Sequence, residues 1–303
     1  MHGIAVTARD FGLRGPRGWT FRGVAFDAEP GSLITVVGPS GSGRTCLLLA
    51  LTGRMKATEG TAAVGGARLP RRMSAARRVS ALAHVAGVTE LDPALTVGEH
   101  LRERALLQRR FGGSLRALLR PRAERRSEAK LRVDSALAAA GLDLEALPKG
   151  ARTAVRDLER LEALRLSVAL ALVGRPRLLG VDDADLKLSA AERDEMWALL
   201  RSVAAGGTTV VAVCGEAPEG TVVVPTRPAA DPDDDHDTGD RGIDTDTDTD
   251  DSDSDSDSDS RIGSRDDHNN GDDDHHNDDS DHDANDDVAK EAAADAFAET
   301  GRA

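Results

Sequence analysis

Short apolar runs separated by glycine and proline dominate the first part of the chain. Residues 3–37 alternate in this way, which is typical of strands in a small antiparallel sheet. The run at residues 32–37 (Ser-Leu-Ile-Thr-Val-Val) is β-branched, whereas residues 46–51 (Cys-Leu-Leu-Leu-Ala-Leu) are rich in helix formers. The pattern therefore predicts a strand and a helix that are joined by the loop at residues 38–45.

Helical periodicity returns further along the chain. Residues 99–141 are rich in Arg, Leu, Ala and Glu, with apolar positions at helical spacing. Residues 190–203 predict another helix, and the β-branched run at 207–213 predicts a buried strand. No apolar run approaches the roughly 18 residues of a membrane span, so we expect no membrane span within this chain.

Charge divides the chain into two parts. Residues 231–303 carry 29 acidic and 5 basic side chains, a net charge of −24, whereas residues 1–230 carry 24 acidic and 34 basic ones, a net charge of +10. Asp-Thr and Asp-Ser repeats offer almost no apolar area to offset the entropy of ordering. We therefore expect a disordered Asp-rich tail over residues 227–287, and residues 288–303 are a candidate for a short terminal helix.

The loop at residues 38–45 carries the clearest chemistry. Its sequence, Gly-Pro-Ser-Gly-Ser-Gly-Arg-Thr, matches a phosphate-binding loop at every position but one, and it lies between a strand and a helix as that motif requires. The glycines let backbone N–H groups converge on phosphate oxygens, and a helix N-terminus adds positive potential. The candidate nucleotide contacts are Gly38, Ser40, Gly41, Ser42, Gly43, Arg44, Thr45 and Cys46.

Arg44 departs from this motif, which has lysine at its position. A planar guanidinium and a compact ammonium are not equivalent at a site shaped for a point charge. A compositional bias offers a simpler explanation, because only five of the 39 basic residues are lysine. A glycine-rich turn that binds nothing is the alternative for the loop itself.

Several segments resemble the ATP-binding cassette (ABC) domain of ABC transporters. They are residues 24–31 leading into the loop, 58–61, and 91–99 (Leu-Asp-Pro-Ala-Leu-Thr-Val-Gly-Glu). The resemblance implies an α/β P-loop NTPase domain over residues 1–226, with an antiparallel β subdomain and a helical subdomain at about 88–155. It also implies ATP and Mg²⁺ as cofactors, and an aromatic residue that stacks on adenine. Phe11 is our candidate and Trp19 its rival.

The resemblance also assigns roles in the second half of the site. Asp182 matches the carboxylate that holds Mg²⁺ together with Thr45, and Asp183 replaces the catalytic glutamate of the family. Gly87 and Gly215 stand where the family has a glutamine and a histidine. The signature sequence, normally Leu-Ser-Gly-Gly-Gln, falls on residues 158–162 (Leu-Glu-Arg-Leu-Glu), and we expect its helix to begin earlier than in the family.

Together these features imply the ATP-binding subunit of an ABC-type membrane transporter or a related complex, with impaired turnover. The expected partners are a separate transmembrane permease and a second, competent ABC subunit. The expected location is the cytoplasm, at the inner face of the cell membrane. A non-hydrolysing regulatory pseudo-ATPase or scaffold is the alternative. Nucleic acid is not expected, because the arginines of residues 99–141 are interleaved with glutamates and lack an aromatic platform.

Overall fold

Two sheets, six α-helices and two short 3-10 helices (Gly150–Arg152 and Val155–Asp157) lie in the part of the chain that the structure describes. The structure is a computed structural model, which describes residues 3–16, 18–111 and 122–226. Its strands are β1 (Val6–Gly15), β2 (Gly18–Ala28), β3 (Leu33–Val37), β4 (Glu59–Val64), β5 (Ala67–Leu69), β6 (Ser80–Ala83), β7 (Leu178–Val181), β8 (Thr209–Val213) and β9 (Val222–Pro225). Its helices are α1 (Arg44–Leu51), α2 (Met73–Val79), α3 (Val97–Phe111), α4 (Arg122–Ala139), α5 (Arg160–Leu172) and α6 (Ala190–Ala205).

The first sheet is antiparallel and has the strand order β2-β1-β4-β5. Glycine and proline break the early sequence into short segments, and the hairpin of β4 and β5 adds its strands beside β1. The second sheet is parallel and has the order β6-β7-β8-β3-β9. The α/β class and the antiparallel subdomain predicted from the sequence are thereby confirmed.

The parallel sheet separates two hydrophobic cores. Successive residues of β3 point to opposite faces, so Ile34 and Val36 pack with the antiparallel sheet while Leu33 packs on the other side. Helix α1 lies with the first core, through Leu47 and Leu48. Helices α5 and α6 cover the second core. Both faces of the sheet are therefore buried, which explains its nearly continuous apolar strands.

The carboxyl ends of the parallel strands meet at one edge of the sheet, which is where open α/β sheets bind ligands. The glycine-rich loop follows β3 there, and the acidic pair at residues 182–183 follows β7. The predicted tail (227–287) and terminal helix (288–303) lie outside the described residues. Within the described ranges, no helix is both long enough and apolar enough to cross a bilayer.

Candidate functional site

The glycine-rich loop joins the end of β3 to the start of α1. Gly41 and Gly43 have φ angles of 82° and 79°, in the left-handed region that favours glycine. Gly43 is also the N-cap of α1, and a Cβ atom there would lie 2.3 Å from the carbonyl oxygen of Thr20 in β2. Both conformation and space therefore require glycine, and the loop packs directly on β2.

A buried hydrogen bond supports the loop from the other side. The hydroxyl groups of Ser42 and Thr226 lie 2.7 Å apart, and the Thr226 hydroxyl also donates to the Val37 carbonyl oxygen at 3.2 Å. A Cβ atom at Gly38 would lie 2.4 Å from the Thr226 carbonyl oxygen. The Ser42 hydroxyl thus holds the loop on the segment after β9, whereas Ser40 is exposed at its tip.

Thr45 and Asp182 meet at the start of α1. The Thr45 hydroxyl donates a hydrogen bond of 2.8 Å to Oδ2 of Asp182, whose side chain is buried. Burial raises the pKa of the Asp182 carboxyl above its ordinary value, and the charge of Asp183 raises it further, while the bond from Thr45 acts in the opposite direction. A bound cation would compensate the desolvated charge.

This pair fits Mg²⁺. A hydroxyl and a carboxylate are hard oxygen ligands, and Mg²⁺ takes few protein ligands while keeping waters and phosphate oxygens. In the described ranges no group of three or more His, Cys, Asp or Glu side chains is arranged to hold a metal ion. A cation held by Thr45 and Asp182 would therefore need oxygens from a nucleotide or from water.

Arg44 points across the loop to β8. Its Nη1 atom donates a hydrogen bond of 2.8 Å to the carbonyl oxygen of Cys214, the residue after β8. The guanidinium also lies close enough to Asp182 to favour the ionised form of that carboxyl, although burial outweighs this effect on the pKa. The Arg44 guanidinium therefore lies near Asp182, and one of its N–H donors is already used in the hydrogen bond to Cys214.

Asp183 and Asp185 follow β7 and have different surroundings. Asp183 has a φ angle of 45°, uncommon for a residue other than glycine, and its N–H donates to Oδ1 of Asp182 at 3.1 Å. The Asp185 carboxylate accepts the N–H of Gly215 at 2.9 Å and that of Glu216 at 3.4 Å. Asp185 thus fixes the end of β8 where the family's histidine was expected. Asp185 was not among the residues predicted from the sequence.

His84, not Gly87, lies beside the acidic pair. β6 pairs with β7 so that Ala83 is opposite Val181, and the Asp182 N–H donates to the Ala83 carbonyl oxygen at 3.4 Å. His84 follows directly. Gly87 is exposed, and its N–H donates to Glu90 at 2.8 Å. Gly87 thus offers no side chain here, and His84, which a count forward from the end of β6 would have found, is the side chain of this region near Asp183.

Charged groups surround the His84 imidazole. Burial lowers its pKa below the ordinary value, and the charge of Arg160 lowers it further, whereas Asp183 and Glu90 act to raise it. Arg160 comes from the start of α5, and its Nε donates to the Leu186 carbonyl oxygen at 3.3 Å. A histidine and an arginine of this chain thus lie near Asp183.

The segment at the signature position caps its own helix. Helix α5 begins at Arg160 with Glu159 as its N-cap, so the prediction of an earlier start was wrong. The Glu162 carboxylate accepts the N–H of Glu159 at 2.9 Å, as in a capping box. The N-cap and the first turn therefore carry one carboxylate each, Glu159 and Glu162, at the end of the helix where an anion would bind.

The two aromatic candidates have opposite environments. Phe11 has an exposed fraction of 0%, and its ring centroid lies 6.0 Å from that of Phe21 in the core. It offers no surface to a base, so we correct its assignment. Trp19 is partly exposed and precedes Thr20, which contacts the glycine loop. The guanidinium groups of Arg22 and Arg14 lie 4.5 and 5.6 Å from the Trp19 ring.

Cys46 lies in the first turn of α1 and is half-buried. Burial raises the pKa of its thiol, and the charge of Asp182 adds to the rise. The structure thus brings Arg44, Thr45 and Cys46 together with Asp182. Of the sequence-predicted site residues, Phe11 is instead fully buried in the core.

The chain resembles proteins of known family. The sequence model of the family described as "ABC transporter" matches residues 21–185, more than half of the chain. An Fe(3+) ions import ATP-binding protein of Streptomyces avermitilis is 34% identical over 191 residues, which are 63% of this chain and 49% of that protein. A Nod factor export ATP-binding protein I of Burkholderia orbicola is 31% identical over 189 residues, 62% of this chain and 55% of that protein. The chain spans about half the length of these relatives.

Solved structures share the fold. A dimeric post-hydrolysis ATP-binding cassette, MJ0796, with ADP and Pi bound, has a TM-score of 0.53 and 21% identity, covering 70% of this chain and 88% of that one. An ATP-bound bacterial Atm1-family exporter has the same TM-score and identity, covering 71% of this chain and 35% of that one.

Proposed function

Because this chain belongs to the ABC transporter family, we propose that it is the ATP-binding subunit of a membrane complex and couples ATP to a separate transmembrane permease. The observation that carries the proposal is the contact between Thr45 and Asp182 beside a loop in which only glycine fits at position 43. A hydroxyl, a carboxylate and a glycine loop are the groups that hold Mg²⁺ and the phosphates of ATP in P-loop proteins.

Each part of the site has a role in binding. Backbone N–H groups of the loop bind the phosphates, Thr45 and Asp182 hold Mg²⁺, and Arg44 supplies positive charge. Mg²⁺, when bound, neutralises the charge of the phosphate oxygens. Trp19, which takes the place of Phe11, stacks on the base.

Turnover is weak in this proposal. Asp183 is one methylene shorter than the family's glutamate, and a misplacement of about 1 Å can cost on the order of a hundredfold in rate. Gly215 offers no side chain at the end of β8. These losses affect the positioning of water and of the terminal phosphate more than binding of the ground state, so affinity survives better than rate.

The capped signature segment affects assembly. In the family this segment contacts the nucleotide of the opposite subunit, whereas here Glu159 and Glu162 place carboxylates at that helix end. Two copies of this chain would form two poor shared sites. We therefore propose that the chain pairs with a second, competent ABC subunit.

The permease has a candidate docking site. A cavity of about 370 Å³ is lined by the β6 region, by the loop after it, and by α3 and α5. Val88 and Leu107 are apolar lining residues with exposed fractions of 50% and 41%. Exposed apolar side chains at a cavity mark a surface for another protein.

Two arginines line the same cavity. Arg54 donates to the Ser80 hydroxyl at 2.9 Å, and Arg104 donates to the Leu170 carbonyl oxygen at 3.0 Å. Burial lowers the pKa of both, and within the described residues neither forms a salt bridge, although Glu90 and Glu103 also line the cavity. We therefore assign the cavity to a permease segment with an acidic side chain between apolar ones. In this proposal the protein acts at the inner face of the membrane.

Two measurements test the proposed function. Calorimetric titration with ATP and Mg²⁺ should show binding that Asp182→Asn weakens strongly, and steady-state phosphate release should be far below that of an intact cassette. Absence of ATP binding in both the native protein and Arg44→Lys would contradict the nucleotide role. Vigorous turnover by the isolated protein would contradict the assigned losses.

The second candidate function is a regulatory pseudo-ATPase or scaffold that binds its membrane partner without turnover. The self-capped signature segment and Asp183 favour it. Phosphate release measured with the partner present separates the two functions, because a motor subunit is stimulated by its partner and a scaffold is not.

A further inference from the structure

Residues 60–89 contain five arginines and no acidic residue. The arginines are Arg68, Arg71, Arg72, Arg77 and Arg78, and all five are exposed. We call Arg68, Arg71 and Arg72 the arginine patch. The nucleotide site and the docking cavity use none of these three side chains, so the patch has no role in the proposed function.

Backbone geometry brings the arginine patch together. In β5, Ala67 and Leu69 are buried, so Arg68 points to the solvent face of the sheet. The N–H of Arg72 donates to the Arg68 carbonyl oxygen at 2.7 Å, which closes a turn that contains Arg71. The three arginines and Gly66 line a surface pocket of about 420 Å³. A Cβ atom on Gly66 would contact nothing within 4 Å, so space beside the pocket is open.

The positive charge of this region is not balanced. Arg9 and Arg22 form salt bridges with Asp27 and Glu59, at 2.7 and 3.1 Å. None of the five arginines at 68–78 forms a salt bridge with any of the residues that the structure describes. Three adjacent guanidinium groups without carboxylate partners favour an anion that can accept several charge-assisted hydrogen bonds.

We propose that the arginine patch binds the phosphate groups of anionic membrane lipids. Guanidinium groups match phosphate oxygens in geometry, and clusters of basic residues near a membrane bind anionic lipid head groups. Single-stranded nucleic acid fits less well, because it also needs aromatic platforms and the sequence has no Phe, Trp or Tyr between Phe26 and Phe111.

The position of the patch supports a lipid over another anion. Arg77 follows the patch in α2 and donates to the Gly53 carbonyl oxygen at 3.2 Å. It lies near Arg54, which lines the docking cavity, and its charge contributes to the lowered pKa of Arg54. The basic surface therefore continues from the cavity to the patch. The choice of lipid rests on the proposed membrane attachment, whereas the anion site itself does not.

Vesicle sedimentation tests the proposal on the full chain without any permease. We expect binding to phosphatidylcholine vesicles that contain phosphatidylglycerol, weak binding to pure phosphatidylcholine, and release in high salt. Residues 1–230 carry a net charge of +10 and residues 231–303 one of −24, so a control of equal charge is needed to separate the patch from general attraction. The triple variant R68Q/R71Q/R72Q should lower the partition coefficient about a hundredfold, because each arginine contributes roughly fivefold.

A matched control removes the same charge elsewhere. Arg126, Arg152 and Arg175 are exposed and lie outside the patch, so R126Q/R152Q/R175Q should retain binding. Thermal unfolding checks that both triple variants are folded. Equal losses in the two variants would overturn the proposal, as would binding of inorganic phosphate or of a single-stranded oligonucleotide by the patch without vesicle binding. Failure here leaves ATP binding by calorimetry and phosphate release with the partner unaffected, so the two proposals fail separately.

Discussion

The Asp185 carboxylate accepts a hydrogen bond from the backbone N–H of Gly215, at 2.9 Å to Oδ2 and 3.2 Å to Oδ1. This bond ties the segment after β7 to the end of β8. Gly215 does not have a left-handed φ, and a Cβ atom there would lie 3.5 Å from Oδ2 of Asp185, an ordinary contact. A side chain can therefore be added at this position without strain.

The first prediction uses this space. Asp183→Glu alone should change phosphate release by about twofold or less, because groups that act as a unit are not additive. Adding Gly215→His should raise it on the order of tenfold, since an imidazole is returned beside the terminal phosphate. Gly215→Ala with Asp183→Glu is the control for backbone effects. A large gain from Asp183→Glu alone would show that the missing methylene was the main defect.

Arg44→Lys should tighten ATP binding several-fold and leave turnover low. Arg44 keeps one donor on the Cys214 carbonyl oxygen, whereas a compact ammonium can approach the phosphates as a point charge. Calorimetry with ATP and Mg²⁺ measures the change, and Arg44→Gln, which removes the charge, should weaken binding. Weaker binding by Arg44→Lys would indicate that the guanidinium is specifically required.

Trp19 and Phe11 should respond differently to substitution. Trp19→Ala should weaken ATP binding on the order of tenfold through lost stacking, with Trp19→Phe retaining most of it. Phe11→Ala should lower the free energy of unfolding by about 3–5 kcal/mol, because it leaves a cavity in the core. Phe11→Leu, a milder change, should keep normal affinity. Normal ATP binding by Trp19→Ala would exclude this residue as the base platform.

The two cysteines should differ in reactivity toward a thiol-alkylating reagent. Burial raises the pKa of the Cys214 thiol to about 12, and that of Cys46 is also raised. The thiolate is the nucleophile, so labelling should be slow at pH 7 and accelerate as pH rises, at Cys46 before Cys214. ATP with Mg²⁺ should slow the labelling of Cys46, as followed by mass spectrometry.

Two variants check the cysteine assignment. Cys46→Ser should remove the fast-labelled site and Cys214→Ser should not. If ATP binds by calorimetry and the Cys46 labelling rate stays the same, Cys46 does not belong to the nucleotide site.

His84→Ala should weaken ATP binding about tenfold, the value of a hydrogen bond to a charged group, with little effect on ADP. Asp183 acts on the pKa of His84 and takes the place of the family's catalytic glutamate, so we expect His84 to face the terminal phosphate. Gly87→Asn is the matched control and should change neither affinity, since asparagine tolerates the left-handed φ of 70° at that position. Equal effects of His84→Ala on ATP and ADP would place His84 away from the terminal phosphate.

Local sequence determined the core of the site. Glycines at fixed spacing, a β-branched run before them and helix formers after them specify a strand, a loop and a helix through short-range sterics and propensity. Asp182 was assigned through its resemblance to a residue of the ABC domain, and parallel strands bring their carboxyl ends to one edge of the sheet. The contact between Thr45 and Asp182 in the structure agrees with that reasoning.

Tertiary structure decided the burial and position of those residues whose environment depends on strand register. β1 pairs with β2 through irregular register, with shifts on both sides of Phe11, and each shift changes the face to which later side chains point. Spacing therefore could not tell that Phe11 is buried and Trp19 partly exposed. The position of His84 likewise depends on the pairing of β6 with β7. A count along the loop from Leu91 does not take that pairing into account.

The start of α5 depended on a local competition that apolar periodicity does not describe. Helix formers at 158–162 predicted an earlier start, but the Glu162 carboxylate accepts the N–H of Glu159, which is the N-cap, and the helix begins at Arg160. Periodicity and propensity act along the chain and were sufficient for the fold class. Caps, strand register and burial depend on which groups meet in space, and these determined which side chains reach the nucleotide site.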